Sequence, residues 1–410
     1  MANKKRSNRP RRSGSIRQVA SILAASLCVA LVGGLASCTQ VRGWVQDRSD
    51  EDRGVQLDRL VVPAGHRVSL LASDLPKARH MVMSPGGTLF VGSMAGNVYA
   101  LSLRDGAVVM NRVLLTGLRD PSGVAFGNGA LYVADRTRIL RYDDIERRLD
   151  NPPPPVETIG GLPDQKRHDA HAMAFGPDGK LYVSVGSPCD VCEAVNDEYG
   201  TIIRTNPDGS GKEVIARGIR NTVGFDWHPQ TRDLWFTENG QDSLGSDRPN
   251  DELNKVMRTG EHFGFPYCHD RDIPDTSFTS RPCSAFTPPE FQLGAHVAAL
   301  GMRFDVPSTK GGETSILVAR HGSHPPIRVA YDVVRVVVQD SKAVRMEPFL
   351  TGFLQGQKFW GRPMDVLVLG DGSVLVSDDL NGAIYRITRP APPLSLSQNV
   401  AKAGRAAALK

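Results

Sequence analysis

The sequence predicts an all-β protein folded as a six-bladed β-propeller. One sequence pattern recurs six times: a short apolar strand, a turn with Gly, Asp, Asn or Pro, and a second strand of leucine, aromatic and valine type. Each copy is typical of a hairpin. The copies recur at intervals of roughly 40–80 residues, as expected for propeller blades that carry insertions. A β-sandwich also contains hairpins, but six copies of one sequence pattern favour the propeller.

The individual strands can be followed in order along the chain. The six copies are MVMSPGGTLFVGS, GVAFGNGALYVAD, AMAFGPDGKLYVSVG, VGFDWHPQTRDLWFTE, GMRFDVPSTKGGETSILVA and DVLVLGDGSVLVSD. A third strand often follows, as in NVYAL, RILRYD, TIIRTN, VVRVVV and AIYRI. The earlier segment HRVSLLA, near residue 68, could complete the last blade and close the ring. We expect the aromatic residues of the repeats to pack between blades; these are Phe175, Phe225, Trp227 and Trp235.

Four regions are predicted from composition. Residues 59–389 form the propeller, whose largest insertion lies between Asn254 and Leu300. Residues 39–58 are polar without periodicity and are expected to be a tether. Residues 390–410 are expected to be a flexible tail, and residues 1–38 an export signal.

The charge of the chain is concentrated at its N-terminus. The formal net charge is +5, but seven Lys and Arg residues lie before residue 38, where there are no acids. Removing those seven leaves −2 for the rest of the chain. The propeller therefore has no net positive charge that would attract nucleic acid, and a nucleic-acid partner is excluded.

Residues 1–38 are typical of a lipoprotein-type signal. The apolar run that ends at Leu35 is short and rich in Ala, Gly and Ser, unlike a membrane span. Leu35-Ala36-Ser37-Cys38 is similar to a bacterial lipobox, which predicts lipidation of Cys38 and an N-terminal membrane anchor. Thr39 in place of Asp implies the periplasmic face of the outer membrane. An ordinary signal peptide that leaves the protein in the periplasm, and a twin-arginine signal at Arg11-Arg12, stay open.

Four further cysteines suggest structural disulfides in an exported protein: Cys189, Cys192, Cys268 and Cys283. Pairing Cys189 with Cys192 and Cys268 with Cys283 gives the shortest loops. The C-x-x-C could instead be redox-active or form half of a zinc site, although no second C-x-x-C follows it.

The propeller prediction brings several polar residues together. The residues just ahead of each inner strand open onto the central channel and should converge there. They include arginines and histidines in Arg79-His80, His168 to His171, Arg220-Asn221 and Arg362-Pro363, together with Asp120-Pro121. Several cations facing one channel indicate a site for an anion or an acidic cofactor.

These segments also carry a family resemblance. HDAHAMAFGPDGKLYVSVGS, ARGIRNTVGFDWHP, TENGQD with NDELN, and GRPMDV follow one another in this order. On these motifs the chain from about residue 60 to 389 resembles the glucose/sorbosone dehydrogenases. GSPCDVC and VLVSDDLNGAIYRI are most similar to the sorbosone-dehydrogenase-like branch. The resemblance implies a six-bladed quinoprotein that uses pyrroloquinoline quinone (PQQ) and Ca²⁺ to oxidise sugars.

Catalytic roles follow from the resemblance at matching positions. His168 corresponds to the general base that takes the proton of the sugar hydroxyl. Arg220 corresponds to the arginine beside the quinone carbonyl, and Asn221 to a second polar contact with the cofactor. Without the resemblance, His168 could be a polar loop residue. Arg220 could equally pair with a carboxylate between blades.

The resemblance also implies ligands for the cofactor and for calcium. Arg362 corresponds to an arginine that grips the cofactor carboxylates. Gly240 and Gln241 correspond to positions whose backbone carbonyls hold the cofactor-bridging Ca²⁺, and Glu252 to an acid of a second, structural Ca²⁺ site. Asp251 and Glu252 could instead form only a solvated turn.

Three positions depart from the family pattern. His321 replaces a cofactor-binding lysine and is expected to contact the cofactor in its place. Met364 stands where glucose enzymes have a second arginine, and Ser187 where some relatives have the Asp or Asn that orients the base. These departures leave the pose of the cofactor and the choice of substrate open.

The sequence thus favours an exported quinoprotein that oxidises an aldose or sugar aldehyde by hydride transfer. It contains no C-x-x-C-H haem motif, so the electron acceptor should be a separate cytochrome or quinone. Two alternatives stay open: a calcium-dependent lactonase-like hydrolase, and a non-catalytic propeller that binds carbohydrate or a partner.

Overall fold

A computed structural model describes residues 54–164, 167–305, 314–323 and 328–389. The predicted signal 1–38 with Cys38, the tether up to residue 53 and the tail 390–410 lie outside the described residues. Within the described part, no helix has the length and apolar character needed to cross a membrane.

The described residues form strands and three short 3-10 turns, the latter at Leu57–Arg59, Ile145–Arg147 and Cys283–Ala285. The strands of the first half are β1 (Arg67–Ala72), β2 (Ala78–Met83), β3 (Thr88–Ser93), β4 (Val98–Arg104), β5 (Ala107–Leu115), β6 (Val124–Gly127), β7 (Ala130–Asp135), β8 (Arg138–Asp143), β9 (Val156–Ile159), β10 (Met173–Phe175), β11 (Leu181–Val185), β12 (Thr201–Thr205) and β13 (Glu213–Arg217).

The strands of the second half are β14 (Phe225–Trp227), β15 (Leu234–Glu238), β16 (Asn250–Val256), β17 (Glu261–His262), β18 (Cys268–His269), β19 (Ile273–Pro274), β20 (Phe291–Ala295), β21 (Ala299–Asp305), β22 (Thr314–Arg320), β23 (Asp332–Gln339), β24 (Lys342–Leu350), β25 (Leu354–Gln355), β26 (Lys358–Phe359), β27 (Pro363–Val368), β28 (Val374–Asp378) and β29 (Ala383–Thr388).

All but four of these strands build six blades, which confirms the predicted propeller; β18 with β19 and β25 with β26 form separate two-stranded sheets. In order from the channel outwards the sheets are β2-β3-β4-β5, β6-β7-β8-β9, β10-β11-β12-β13-β17, β14-β15-β16-β20, β21-β22-β23-β24 and β27-β28-β29-β1. The predicted closing strand is therefore confirmed: β1 pairs antiparallel with β29, with Val68 opposite Ile387. Closure joins the two ends of the propeller and removes an open sheet edge.

The repeated sequence pattern does not predict the outer strand of each blade. In β5, exposed and partly buried residues alternate up to the buried pair Leu114 and Leu115. An outer strand has solvent on one side, so it lacks the continuous apolar run of the inner strands, as in β3, which is buried throughout.

Aromatic pairs join successive blades. A ring on the second strand of one blade contacts a ring on the inner strand of the next: Tyr132 with Phe175 (5.1 Å between ring centroids), Tyr182 with Trp227 (4.9 Å) and Trp235 with Phe304 (5.9 Å). All three pairs meet edge to face, a geometry that adds specific attraction to the burial of the rings.

The channel contains a buried apolar cluster. Val223, Leu300 and Met364 come from three different inner-strand segments and pack together. Met364 is 0% exposed, so this methionine fills the channel interior. His80 reaches the same region, with Nε2 at 2.7 Å from the Val223 carbonyl.

Two disulfides hold the loops near the third and fourth blades. The structure joins Cys189 to Cys192 and Cys268 to Cys283, the pairing with the shortest loops. The second bridge lies in the long insertion, whose strand β17 pairs in parallel with β13 and so returns over the third blade. Closing a loop of this size stabilises a fold by about 3 kcal/mol in the chain-entropy account.

The aromatic pairs lead to a stability prediction. Replacing Trp235, which is fully buried between the fourth and fifth blades, with Ala should lower the free energy of unfolding by about 3–5 kcal/mol, because it leaves a cavity. Urea denaturation would measure the change. The control Val344→Ala, at a residue 46% exposed, should change it by less than about 0.5 kcal/mol. Equal values for both variants would contradict this role of the aromatic pairs.

Candidate active site

His168 lies in the connection between β9 and β10 in a constrained conformation. Its φ is 54°, in the left-handed region that side-chain-bearing residues seldom adopt. Gly186 lies directly against it, because a Cβ atom at Gly186 would come within 2.4 Å of the His168 Cβ. A glycine at this position is therefore what lets the imidazole sit close to the end of β11.

Hydrogen bonding selects the tautomer of His168. Its Nδ1 is 2.9 Å from the Ser187 carbonyl oxygen, which can only accept a hydrogen bond. Nδ1 therefore carries the proton, and Nε2 keeps a lone pair. Burial, followed by the positive charge of Arg220, lowers the pKa of His168 to about 4. At neutral pH the side chain is an uncharged imidazole that can accept a proton at Nε2.

Ser187 links His168 to Arg220 through its backbone. Its N–H donates to the Arg220 carbonyl oxygen at 2.8 Å, while its own carbonyl accepts from His168. In this chain a peptide carbonyl therefore orients the imidazole of His168. The Ser187 hydroxyl is engaged elsewhere and donates to the Cys189 carbonyl at 3.0 Å.

The Arg220 guanidinium is held between two acidic loops. Nε donates to the Asp190 carbonyl at 3.0 Å, Nη1 to the Asn239 carbonyl at 3.3 Å, and Nη2 to the carboxylates of Asp190 and Asp242. A guanidinium has five N–H donors, so among the described residues one donor on Nη1 stays available. Arg220 thus pairs with carboxylates, as the alternative left open by the sequence allowed, and this pairing holds the group near His168.

Asp190 is a site residue that the sequence reading did not single out. It lies inside the Cys189–Cys192 bridge and also pairs with Arg167 Nη1 at 3.5 Å. Burial opposes its ionisation, but the hydrogen bond and the charge of Arg220 outweigh burial and lower its pKa. The C-x-x-C motif could have indicated Asp190, because the disulfide between its cysteines encloses this one acid in a short ring.

A second charged group brings together segments from three parts of the chain. Arg79 Nη1 donates to Asp379 at 2.8 Å, His321 Nε2 lies 3.0 Å from the same carboxylate, and Arg362 Nη2 donates to His321 Nδ1 at 2.9 Å. Burial and the adjacent Arg362 lower the pKa of His321 to about 4. Asp379 keeps a pKa well below its usual value, because these basic groups outweigh its burial.

This basic cluster retains free hydrogen-bonding capacity. Among the described residues, Nε of Arg79 and Nε of Arg362 are buried without a hydrogen-bond partner. Buried donors of this kind cost free energy unless something accepts from them. The structure thus brings the predicted Arg362 and His321 together and adds Arg79 and Asp379 to them.

A buried acidic pair lies on the neighbouring strands β15 and β16. Glu238 and Glu252 face each other across the strands, and Asn254 Nδ2 donates to both, at 3.2 and 2.9 Å. Burial raises the pKa of Glu238 to about 8. Burial and the charge of Glu238 raise the pKa of Glu252 well above its usual value. Asn254 Oδ1 is also buried, with no partner among the described residues.

The alternative of a solvated turn at Asp251 and Glu252 is wrong. Both residues belong to β16, and they are 1% and 5% exposed. Asp251 accepts from the backbone N–H of Gly240 at 2.9 Å and of Ala299 at 2.9 Å. Burial raises its pKa to about 6. Asp251 thus fastens the loop after β15 to the next blade.

That loop contains Gly240 and Gln241. The Gln241 side chain is fixed by the insertion, with Nε2 at 2.9 Å from His269 and 3.2 Å from Asp275. Among the described residues, no hydrogen bond reaches the carbonyl oxygen of Gly240 or of Gln241. No group of three His, Cys, Asp or Glu side chains converges as a metal site within the described ranges. A cation at this loop would therefore depend on backbone oxygen.

Comparison with known proteins places the chain among its relatives. The profile of the TrAA12-like family matches residues 60–389. The chain belongs to the TrAA12-like family. This TrAA12-like chain is also 30% identical over 351 residues to an uncharacterised protein of Borreliella burgdorferi, a match that covers 80% of this chain and 90% of that protein.

Two further relatives are sugar enzymes by name. A pyrroloquinoline quinone-dependent sugar dehydrogenase of Hypocrea jecorina is 23% identical over 327 residues, covering 66% of this chain and 75% of the relative. The iodide structure of a Trichoderma reesei carbohydrate-active enzyme of family AA12 superposes with a TM-score of 0.73 at 20% identity, covering 83% of this chain and all of that one. At that identity the superposition shows the shared fold. The resemblance predicted from the motifs is confirmed by these comparisons.

The packing of His168 gives a testable prediction. The Gly186→Ala variant should push the imidazole out of its buried position, since the new Cβ would meet the His168 Cβ at 2.4 Å. The His168 pKa should then rise from about 4 by about one unit or more. Imidazole NMR titration would measure it. Gly370→Ala is the control, because nothing lies within 4 Å of its Cβ position; identical midpoints in all three proteins would contradict this account.

Proposed function

We propose that this protein is a PQQ-dependent sugar dehydrogenase that oxidises an aldose or sugar aldehyde. The observation that carries the proposal is the Ser187 link between an uncharged His168 and Arg220. Through this link the proton acceptor of His168 and the positive charge of Arg220 are held next to each other. Membership of the TrAA12-like family and the named activity of the Hypocrea jecorina relative support it.

The basic cluster fits an acidic cofactor. PQQ carries carboxylates, and Arg79 and Arg362 have buried Nε donors without partners among the described residues. Arg362 and His321 would hold the cofactor carboxylates together with Arg79. Asn221, whose Nδ2 donates to Asn239 Oδ1 at 2.9 Å, would add a polar contact beside Arg220. Met364 would make none, because it is buried in the apolar cluster of the channel.

The residues of this chain would divide the chemistry as follows. His168 Nε2 accepts the proton of the sugar hydroxyl, and the Ser187 carbonyl holds the imidazole in the tautomer that allows this. Arg220 stabilises negative charge that develops on oxygen during the transfer. When bound, PQQ supplies the quinone that accepts hydride.

Calcium would bind through oxygen atoms already in place. The carbonyls of Gly240 and Gln241 suit a hard cation close to the cofactor. Glu252 would ligate a second, structural Ca²⁺, and the facing Glu238 is an additional ligand candidate. Burial favours the protonated form of both groups, and a bound divalent cation would replace the protons and stabilise the two carboxylates.

The cellular context of the proposal comes from residues outside those described. We propose export under the direction of residues 1–38 and lipid anchoring through Cys38 to the periplasmic face of the outer membrane. Release into the periplasm is the alternative. Electrons would pass to a separate cytochrome or quinone.

Sugar oxidation by the full chain supplied with PQQ and Ca²⁺ tests the function. His168→Gln should lower kcat by about 10²–10⁴-fold, because the proton acceptor is lost. In the unaltered protein, kcat/KM should fall only as the pH approaches about 4, since the base is protonated below its lowered pKa. Dye-coupled rates measure both. His66→Gln, a histidine near β1 whose Nδ1 lies 3.4 Å from the Ala64 carbonyl, is the control, and full activity of His168→Gln would overturn the mechanism.

Calcium removal tests the acidic pair. Adding Ca²⁺ to chelator-treated protein should raise Tm, by an amount that corresponds to about 2.7 kcal/mol at a hundredfold excess over Kd. Glu252→Gln should lose most of that increase, because a ligand is removed. Differential scanning calorimetry would measure it. Glu347→Gln, a surface carboxylate paired with Arg345, should behave like the unaltered protein; a full calcium response in Glu252→Gln would contradict the assignment.

A further inference from the structure

A cavity borders the candidate active site at Ser187. Its volume is about 380 Å³, within the range of about 300–1,000 Å³ that is usual for small-molecule sites. Ser187 lines it, and the carbonyl of the same residue accepts the hydrogen bond from His168 Nδ1. Ser187 therefore contacts both the cavity and the proposed base.

Residues of two disulfide-held loops line the cavity and contact each other. Glu193, just after the Cys189–Cys192 bridge, accepts a hydrogen bond from the Tyr267 hydroxyl at 2.7 Å. Tyr267 precedes Cys268, which is bridged to Cys283. The cavity walls are thus fastened to each other and to the fold before any ligand arrives, which lowers the ordering cost of binding.

Aromatic rings line one side of the cavity. The Tyr267 ring stacks on Phe286, with ring centroids 5.7 Å apart and planes inclined by 12°, and Phe265 also lines the cavity. His262 packs onto Gly218 so tightly that a Cβ there would lie 2.2 Å from the imidazole. Rings of this kind offer apolar surface to the C–H faces of a ligand.

The polar groups of the cavity are mixed in sign and type. Glu193 and Asp197 contribute carboxylates, Asn196 an amide and Arg217 a guanidinium. His262 is uncharged at neutral pH, because burial and the nearby Arg281 lower its pKa to about 4. An anionic ligand would face the two acids, and a cationic ligand would face Arg217. A neutral ligand rich in hydroxyl groups can use the carboxylates, the amide and the guanidinium together.

We propose that this cavity binds a second sugar unit of the substrate, so that the protein acts on a sugar whose reacting ring carries a glycosidic neighbour. The reacting ring lies at His168, and the neighbouring ring extends past Ser187 against Tyr267. This inference rests on the proposed sugar dehydrogenase function and adds to it a preference for disaccharides or longer substrates.

Steady-state kinetics test the substrate preference. The full chain supplied with PQQ and Ca²⁺ is assayed on cellobiose, maltose and lactose, and on glucose and galactose. We expect kcat/KM for at least one disaccharide to exceed that of its monosaccharides about tenfold, equivalent to about 1.4 kcal/mol. Tyr267→Ala should remove that advantage and leave the monosaccharide values unchanged. No preference in the unaltered protein, or an equal fall for both classes, would overturn the proposal.

Matched variants separate binding from folding. Glu193→Gln keeps an acceptor for Tyr267 but removes a charge, and should weaken the disaccharide preference while Tm stays unchanged. Asp150→Asn is the control, because this exposed carboxylate pairs with Arg112 on the surface, away from the cavity. It should leave every constant unchanged. If Glu193→Gln and Asp150→Asn behave alike and Tyr267→Ala is unfolded, the proposal fails.

A binding measurement distinguishes the two proposals from each other. Methyl cellobioside and methyl maltoside, which lack a free anomeric hydroxyl, are titrated calorimetrically into the full chain without cofactor. Binding that weakens at least about tenfold in Tyr267→Ala, with no sugar oxidised, would support the cavity as a sugar site and overturn the dehydrogenase function. Oxidation of monosaccharides without glycoside binding would overturn the cavity proposal alone. Absence of both would overturn both.

Discussion

Closure of the ring by β1 and β29 is the constraint on which the rest of this molecule depends. Their antiparallel register, with Val68 opposite Ile387 and Leu70 opposite Tyr385, joins segments more than 300 residues apart in the chain. With both ends joined, every blade packs against two neighbours, and the aromatic pairs repeat from one interface to the next. Six inner strands then surround one channel, and the connections before them are forced together. The polar groups of the candidate site meet for that reason.

The candidate site shows how backbone can take over a side chain's task. Ser187 offers His168 a peptide carbonyl. A carbonyl is only an acceptor, so it selects the tautomer without adding a negative charge that would raise the pKa of the imidazole. Met364 contributes no polar group to the site. It fills the channel interior with Val223 and Leu300, and the basic side of the site is formed by Arg79, Arg362 and His321.

Three groups of buried ionisable residues belong to the candidate site. Arg220 is balanced by Asp190 and Asp242. Asp379 is surrounded by bases that keep unused donors, and the buried carboxyl groups of Glu238 and Glu252 face each other across β15 and β16. Burying such groups destabilises a fold. Groups of this kind therefore occur most often where they serve binding or catalysis. Their position at the channel and in the adjoining loops fits the proposed cofactor and calcium. One disulfide encloses Asp190, and the other bridges the insertion whose His269 contacts Gln241.

Repeated local patterns let the sequence alone determine the six hairpins, the third strands, the closing segment and the positions of His168 and Arg220. These features depend on residues close together in the chain or on a motif read in order. The outer strands, the pairing of Arg220 with Asp190 and the facing acids Glu238 and Glu252 were decided only by the tertiary structure. A carboxylate looks the same in sequence whether it is solvated or buried, and its pKa and partner depend on which distant segments close over it. Glu252 illustrates this, because a possible solvated turn became a buried strand position once β15 and β20 packed on either side of it.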